Sequence, residues 1–221
     1  MERKNITEIV TKYIKNAGAN ERYSSFDYCY NYFTTTENFT LDMEKSCLEL
    51  GFYLASWGMF RGKSVLLQKS IKYYENIIDY LSTLDKSYWR IDIDDYFEDQ
   101  NVLKIFEIHN KLSELTEGTD TLITKIMLGV FGCIPAFDRY FMKTFDIDGF
   151  TFDAIEKIKI FYSDNRKIIN ELSQNTFTKD FISGKDTKIN YTKAKIIDMY
   201  GFTLGLLEEE KNNHSEIRHG T

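Results

Sequence analysis

Apolar positions along the chain recur mostly at three- and four-residue steps, the period that gathers side chains on one face of an α-helix. In "GKSVLLQKSIKYYENIIDYLSTLD", Leu67, Ile71, Tyr74, Ile78 and Leu81 keep that rhythm and predict one amphipathic helix across the stretch. Upstream, "TLDMEKSCLELGFYLASWGMF" opens on a Thr40 cap with Asp42 and Glu44 in the first turn. It then becomes apolar on nearly every side, which predicts a helix at the centre of a domain. Gly51, Ala55 and Gly58 form a small-residue seam along it, suited to a close helix contact. The same periodicity predicts helices over residues 5–16, 22–34, 101–116, 120–131, 135–145, 151–174 and 191–210. Strand-like alternation is clearest in "YWRIDIDDYFED", read here as a loop between two helical halves, and "FTKDFISGKDTKINY" reads as a second connection.

No repeat and no Pro- or Ser-rich linker divides the chain. The expected architecture is all-α: a single globular domain of eight to ten helices over residues 1–210, with room for two helical lobes and a helix-hairpin-helix-like element. Residues 211–221 are polar enough to form a flexible tail. A hydrophobic fraction of 43% and an aromatic fraction of 15% supply a core that needs no disulfide or metal staple.

Charge narrows the partners. The net charge of −6 makes the average surface repel phosphates, so nucleic-acid binding would require a local basic patch. Cys29, Cys47 and Cys133 are odd in number and lack a CxxC pair, which fits reduced thiols and a cytoplasmic location. The N-terminal stretch is studded with charges, unlike a signal peptide, and no apolar run reaches the roughly 18 residues of a membrane span.

Candidate chemistry is sparse. Arg61, Lys63 and Ser64 cluster near Trp57 at a predicted helix start, where backbone N–H groups could meet a phosphate. Gly58 and Gly62 enclose too few residues for a Walker loop, and a helix–helix corner with solvated cations is the better account of the cluster. Asp92, Asp94, Asp95, Glu98 and Asp99 lack EF-hand spacing and read as a solvated loop. His109, His214 and His219 form no metal-ligand pair, and no GxSxG elbow occurs, so no metal and no cofactor is expected.

The single proline lies in "ELTEGTDTLITKIMLGVFGCIPAFDRYF". Here a turn at Gly118, a short apolar helix, a turn at Gly132 and a helix opened by Pro135 follow one another, with Asp138 expected in the first turn. That order resembles the helix-hairpin-helix DNA glycosylase superfamily, with residues 40–145 taking part. "ASWGMFRG" together with "GVFGCIPAFDRYF" also resembles an uncharacterised bacterial protein group, which implies no activity. The superfamily's lysine position, counted back from Asp138, holds Asp120, and its LPGVG hairpin is replaced by Leu115 to Thr119. The resemblance therefore implies no Schiff-base nucleophile. It implies Asp138 as the catalytic carboxylate that stabilises positive charge on a sugar or activates water. It also implies DNA as partner, phosphate contacts at Arg61, Lys63, Ser64 and Gly118, and Trp57 and Tyr140 as aromatic walls for a flipped base.

Two expectations diverge. A DNA-associated protein with a glycosylase-like core has Asp138 lining a cleft beside Arg61 and Lys63. A helical protein-interaction module in bacterial regulation or defence, without enzymatic activity, has a broad exposed apolar face and a buried or ion-paired Asp138. A small-molecule enzyme using the carboxylates is a third possibility for which the sequence names no substrate.

Overall fold

The computed structural model describes residues 5–219, with side chains described as far as Asn212. Ten α-helices, four short 3-10 helices and one small antiparallel ribbon are the regular elements of the described residues, confirming the all-α class. The helices are α1 (Ile6–Lys15), α2 (Ser25–Thr35), α3 (Met43–Ser56), α4 (Glu75–Thr83), α5 (Asp99–Thr116), α6 (Asp120–Phe131), α7 (Arg139–Phe145), α8 (Phe152–Asp164), α9 (Arg166–Asn175) and α10 (Lys193–His219). The ribbon pairs β1 (Phe177–Lys179) with β2 (Asp186–Asn190) inside the segment read as a plain connection. The tail expected from residue 211 coincides with the last turns of α10; residues 220 and 221, like the side chains of His214 and His219, lie outside the described residues.

The centre of the domain is α6, not α3. Every residue of α6 from Leu122 to Phe131 is buried, and the helix packs against α2, α3 and α5. Gly129 presses on the Tyr53 ring of α3, where an added Cβ would come within 2.3 Å of a ring carbon. By contrast α3 buries one face, through Cys47, Leu50, Tyr53 and Leu54, and turns Leu48, Phe52 and Ala55 to the surface. Its N-cap is Asp42, whose carboxylate accepts from Lys45 N at 3.1 Å, rather than Thr40. The small-residue seam divides accordingly: Gly51 lets Ile71 and Tyr74 approach, Ala55 is exposed, and Gly58 takes a left-handed turn beyond the helix.

Two predicted helices are broken. The stretch expected as one helix from Gly62 forms 3-10 turns at Val65–Gln68 and Ile71–Tyr74 before α4 begins. Leu66 rather than Leu67 enters the core, while Ile71, Tyr74, Ile78 and Leu81 keep the predicted face. Three-residue spacing suits a 3-10 turn as well as an α-helix, and extended backbone at Lys69 and Ser70 separates the pieces. The segment 151–174 divides at Asn165, which ends α8 and starts α9 while its side chain donates to Phe161 O at 2.8 Å.

Pro135 does not open a helix. After α6 ends at Gly132 (φ 65°), residues 133–137 cross the core as irregular, fully buried chain. Such a segment must find partners for its backbone groups outside regular structure. Tyr96 donates to Cys133 O at 2.6 Å, Ala136 N donates to Asp198 Oδ1 at 3.1 Å, and Phe137 N donates to Thr124 Oγ1 at 2.8 Å. Thr121 completes the set by donating to Phe137 O at 2.7 Å. At Pro135 there is no N–H to satisfy, which is the physical advantage of proline in this position.

Candidate functional site

Three of the predicted residues, Trp57, Asp138 and Tyr140, come together around the start of α7. Asp138 is the N-cap of that helix, one residue before its first turn. Its Oδ1 accepts from Tyr140 N at 3.0 Å and Phe141 N at 3.1 Å, and its Oδ2 lies 3.3 Å from Lys125 Nζ. The Lys125 side chain is 4% exposed and that of Asp138 14%, so the ion pair is removed from bulk water. A second buried pair stands beside it: Lys195 donates to Asp198 at 2.7 Å and to Tyr13 Oη at 3.0 Å. Burial pushes the Tyr13 phenol well above its ordinary pKa, with the Asp198 charge adding to the effect.

Trp57 joins the two pairs. Lys125 Nζ lies 5.0 Å, and Lys195 Nζ 5.5 Å, from the indole centroid, within cation–π range. Arg22 approaches the same ring at 5.5 Å from the surface. Tyr23, Phe202 and Tyr140 extend the aromatic group, with Trp57–Phe202 and Tyr140–Phe202 centroids 5.5 and 5.4 Å apart. Within this group Tyr53, Trp57, Lys125, Asp138, Lys195 and Asp198 line a cavity of about 10 Å³. That is space for a single water molecule, far less than a nucleobase requires.

The predicted phosphate contacts sit elsewhere. Arg61 folds its guanidinium back over Gly58, Lys63 is exposed, and Ser64 spends its hydroxyl accepting from Leu66 N at 3.2 Å. Neither these residues nor Gly118 lines the cavity beside Asp138. Gly118 lies in the α5–α6 connection, where its N–H donates to Thr116 Oγ1 at 3.1 Å. Thus Trp57, Tyr140 and Asp138 are neighbours in one cluster, whereas Arg61, Lys63, Ser64 and Gly118 do not share its cavity.

Sequence reasoning missed Lys125, Lys195 and Asp198. A signal was present: Lys125 is the single charge in α6 after Asp120, on a helix otherwise apolar all round. Lys195 and Asp198 likewise interrupt the apolar start of α10 at i and i+3. The acidic stretch is solvated only in part: Glu98 and Asp99 are exposed, whereas Asp94 and Asp95 are half-buried. Asp92 is largely buried, accepting from Lys193 N at 2.8 Å and Ala194 N at 2.9 Å at the start of α10. Burial raises its pKa against the opposing pull of Lys193.

A separate surface feature lies on α3. Leu48 and Phe52 are 50% and 71% exposed, and with Ala55 they follow four- and three-residue steps along one side, while Leu41, 85% exposed, stands just before the Asp42 cap. This is the spacing by which one helix packs against another. Among the described residues no helix is long and apolar enough to cross a membrane. No protein-family model matches this sequence, no curated protein matches it, and no solved structure matches the fold.

Proposed function

We propose that the protein is a helical interaction module whose docking surface is the outer face of α3. The observation that carries the reading is the exposed stripe Leu48, Phe52 and Ala55, apolar at helical spacing, with exposed Leu41 just before the helix. The state of Asp138 supports it: both carboxylate oxygens are engaged inside the fold, and the adjoining cavity has no room for a substrate. The partner expected is a protein presenting an apolar helix or groove, which would cover Phe52 as the central anchor.

The test is comparative affinity capture with the intact chain and with a Leu48→Glu/Phe52→Glu variant of unchanged thermal stability. A partner retained by the intact chain and lost by the variant supports the reading. Identical sets of captured proteins would overturn it.

A second reading, surface contact with nucleic acid, is favoured by the arginine-capped aromatic group. Arg22 lies 5.2 Å over Tyr23, and Arg139 lies 4.5 Å over Tyr140 while pairing with Glu209 at 2.9 Å, so a strand would meet the outer guanidinium faces through phosphate contact or base stacking. Titration with duplex and single-stranded DNA across a salt series tests it, since phosphate contacts are strongest at low salt. Base excision would in addition have to disappear in Asp138→Asn while binding persisted.

A further inference from the structure

A surface cleft of about 570 Å³, sharing no lining residue with the Asp138 cavity, lies between the α2–α3 connection and the chain leaving α4. Its volume is in the range of small-molecule sites, roughly 300 to 1,000 Å³. An aromatic group forms one wall: the Trp89 ring centroid stands 4.5 Å from Phe131 and 5.5 Å from Phe39. Around it stand the hydroxyls of Thr34, Thr36, Thr40 and Ser82 and the amide of Asn38; Thr40 donates to Asn38 Oδ1 at 2.7 Å and Ser82 to Asp79 O at 2.6 Å, so these two hydroxyls offer acceptor oxygens and Asn38 its NH₂ donors.

The chemistry of this lining selects a ligand class. Glu37 and Lys86 bring one charge of each sign, so the lining has no net demand for an ion. Hydroxyl and amide groups both donate and accept, which matches a ligand bearing many hydroxyls of its own. The rings meet at tilts of 52° for Trp89 with Phe131 and 49° for Trp89 with Phe39. No parallel-walled slot exists among these three rings to sandwich a flat base; on a single ring face a puckered ring can lay its C–H face and turn to the hydroxyl- and amide-lined rim the hydroxyls that a nucleobase lacks. We propose that this cleft binds a neutral polyhydroxylated ring, a saccharide unit, with Trp89 as the platform. This inference is independent of the α3 reading.

Saturation-transfer NMR of the intact protein tests the proposal, using glucose, galactose, N-acetylglucosamine and their disaccharides, with adenosine and cytidine as contrasting ligands. Transfer to the ring C–H protons of at least one sugar is expected, weakened by about tenfold in Trp89→Ala. Because Trp89 also packs on Phe39 and Phe131, Ser82→Arg is the companion variant. It fills the cleft from an exposed rim position and should reduce binding equally while leaving the melting temperature intact. The proposal is overturned by no transfer to any sugar at tens of millimolar, by transfer to the nucleosides alone, or by sugar binding that survives in Ser82→Arg.

Discussion

Asp138 caps α7 with one carboxylate oxygen and faces the buried ammonium of Lys125 with the other, at 3.3 Å. The residue thereby ties the irregular chain after α6 both to the helix that follows it and to α6 itself. Replacing Asp138 with Ala removes the cap and strands a buried lysine charge, and should destabilise the fold by about 3 kcal/mol or more. Asp138→Asn, which can still cap, should cost less. Combining Asp138→Asn with Lys125→Met should recover part of the loss, because no unpaired charge then remains buried. Urea denaturation of the four proteins measures each step.

Asp27 gives the fold a pH-sensitive element. Its carboxylate, fully buried in α2, accepts from Tyr191 Oη at 2.7 Å and Lys179 N at 2.9 Å, and burial raises its pKa to about 7 despite those bonds. In the unfolded chain the same group ionises near its ordinary value of about 4. Between those values the unfolded state loses the proton first. The contribution of Asp27 to stability is therefore complete below about pH 4 and is lost as pH rises toward 7, by up to roughly 4 kcal/mol. Stability–pH profiles of the intact protein and Asp27→Asn should diverge across that window, the intact protein falling more steeply as pH rises. Parallel profiles would contradict the assignment.

The buried segment around Pro135 depends on side-chain partners. Thr124 Oγ1 accepts from Phe137 N while donating to Asp120 O at 2.6 Å. Thr124→Val keeps the shape but leaves a buried N–H without an acceptor, and should cost about 1–3 kcal/mol. Thr124→Ser should cost less, since it retains the oxygen. Thermal denaturation of the pair separates the hydrogen bond from the methyl group.

Gly205 lies where α10 crosses α7, and a Cβ there would come within 2.4 Å of the Tyr140 carbonyl oxygen. Backbone cannot yield as a side-chain tip does, so Gly205→Ala should destabilise by about 1–3 kcal/mol although alanine is the better helix former. The loss should be visible as a lower denaturation midpoint. Equal or greater stability would show that the two helices can separate without penalty.

On the surface of α3, Leu48→Glu/Phe52→Glu should leave stability within about 0.5 kcal/mol of the intact chain, because both side chains are exposed. An unchanged circular dichroism melt alongside lost partner capture would assign the stripe to recognition rather than packing.

The sequence by itself determined the helical class and most helix positions, because 3.6-residue periodicity is a local property that α1, α2, α5 and α6 carry in their own residues. It also marked Trp57, Tyr140 and Asp138, which the fold gathers into one cluster. Only tertiary structure decided that α6 occupies the centre and α3 the surface: both helices are apolar, and the choice rests on which neighbours arrive. Tertiary packing also divided the stretch after Gly62 and turned Pro135 from a helix start into part of a buried crossing. Residues remote in sequence satisfy that crossing, Tyr96 and Asp198 among them, and Lys195 meets Tyr13 from the opposite end of the chain. Local pattern could place each of these residues on a helix face or in a turn, but long-range contacts alone determine which buried charge meets which partner.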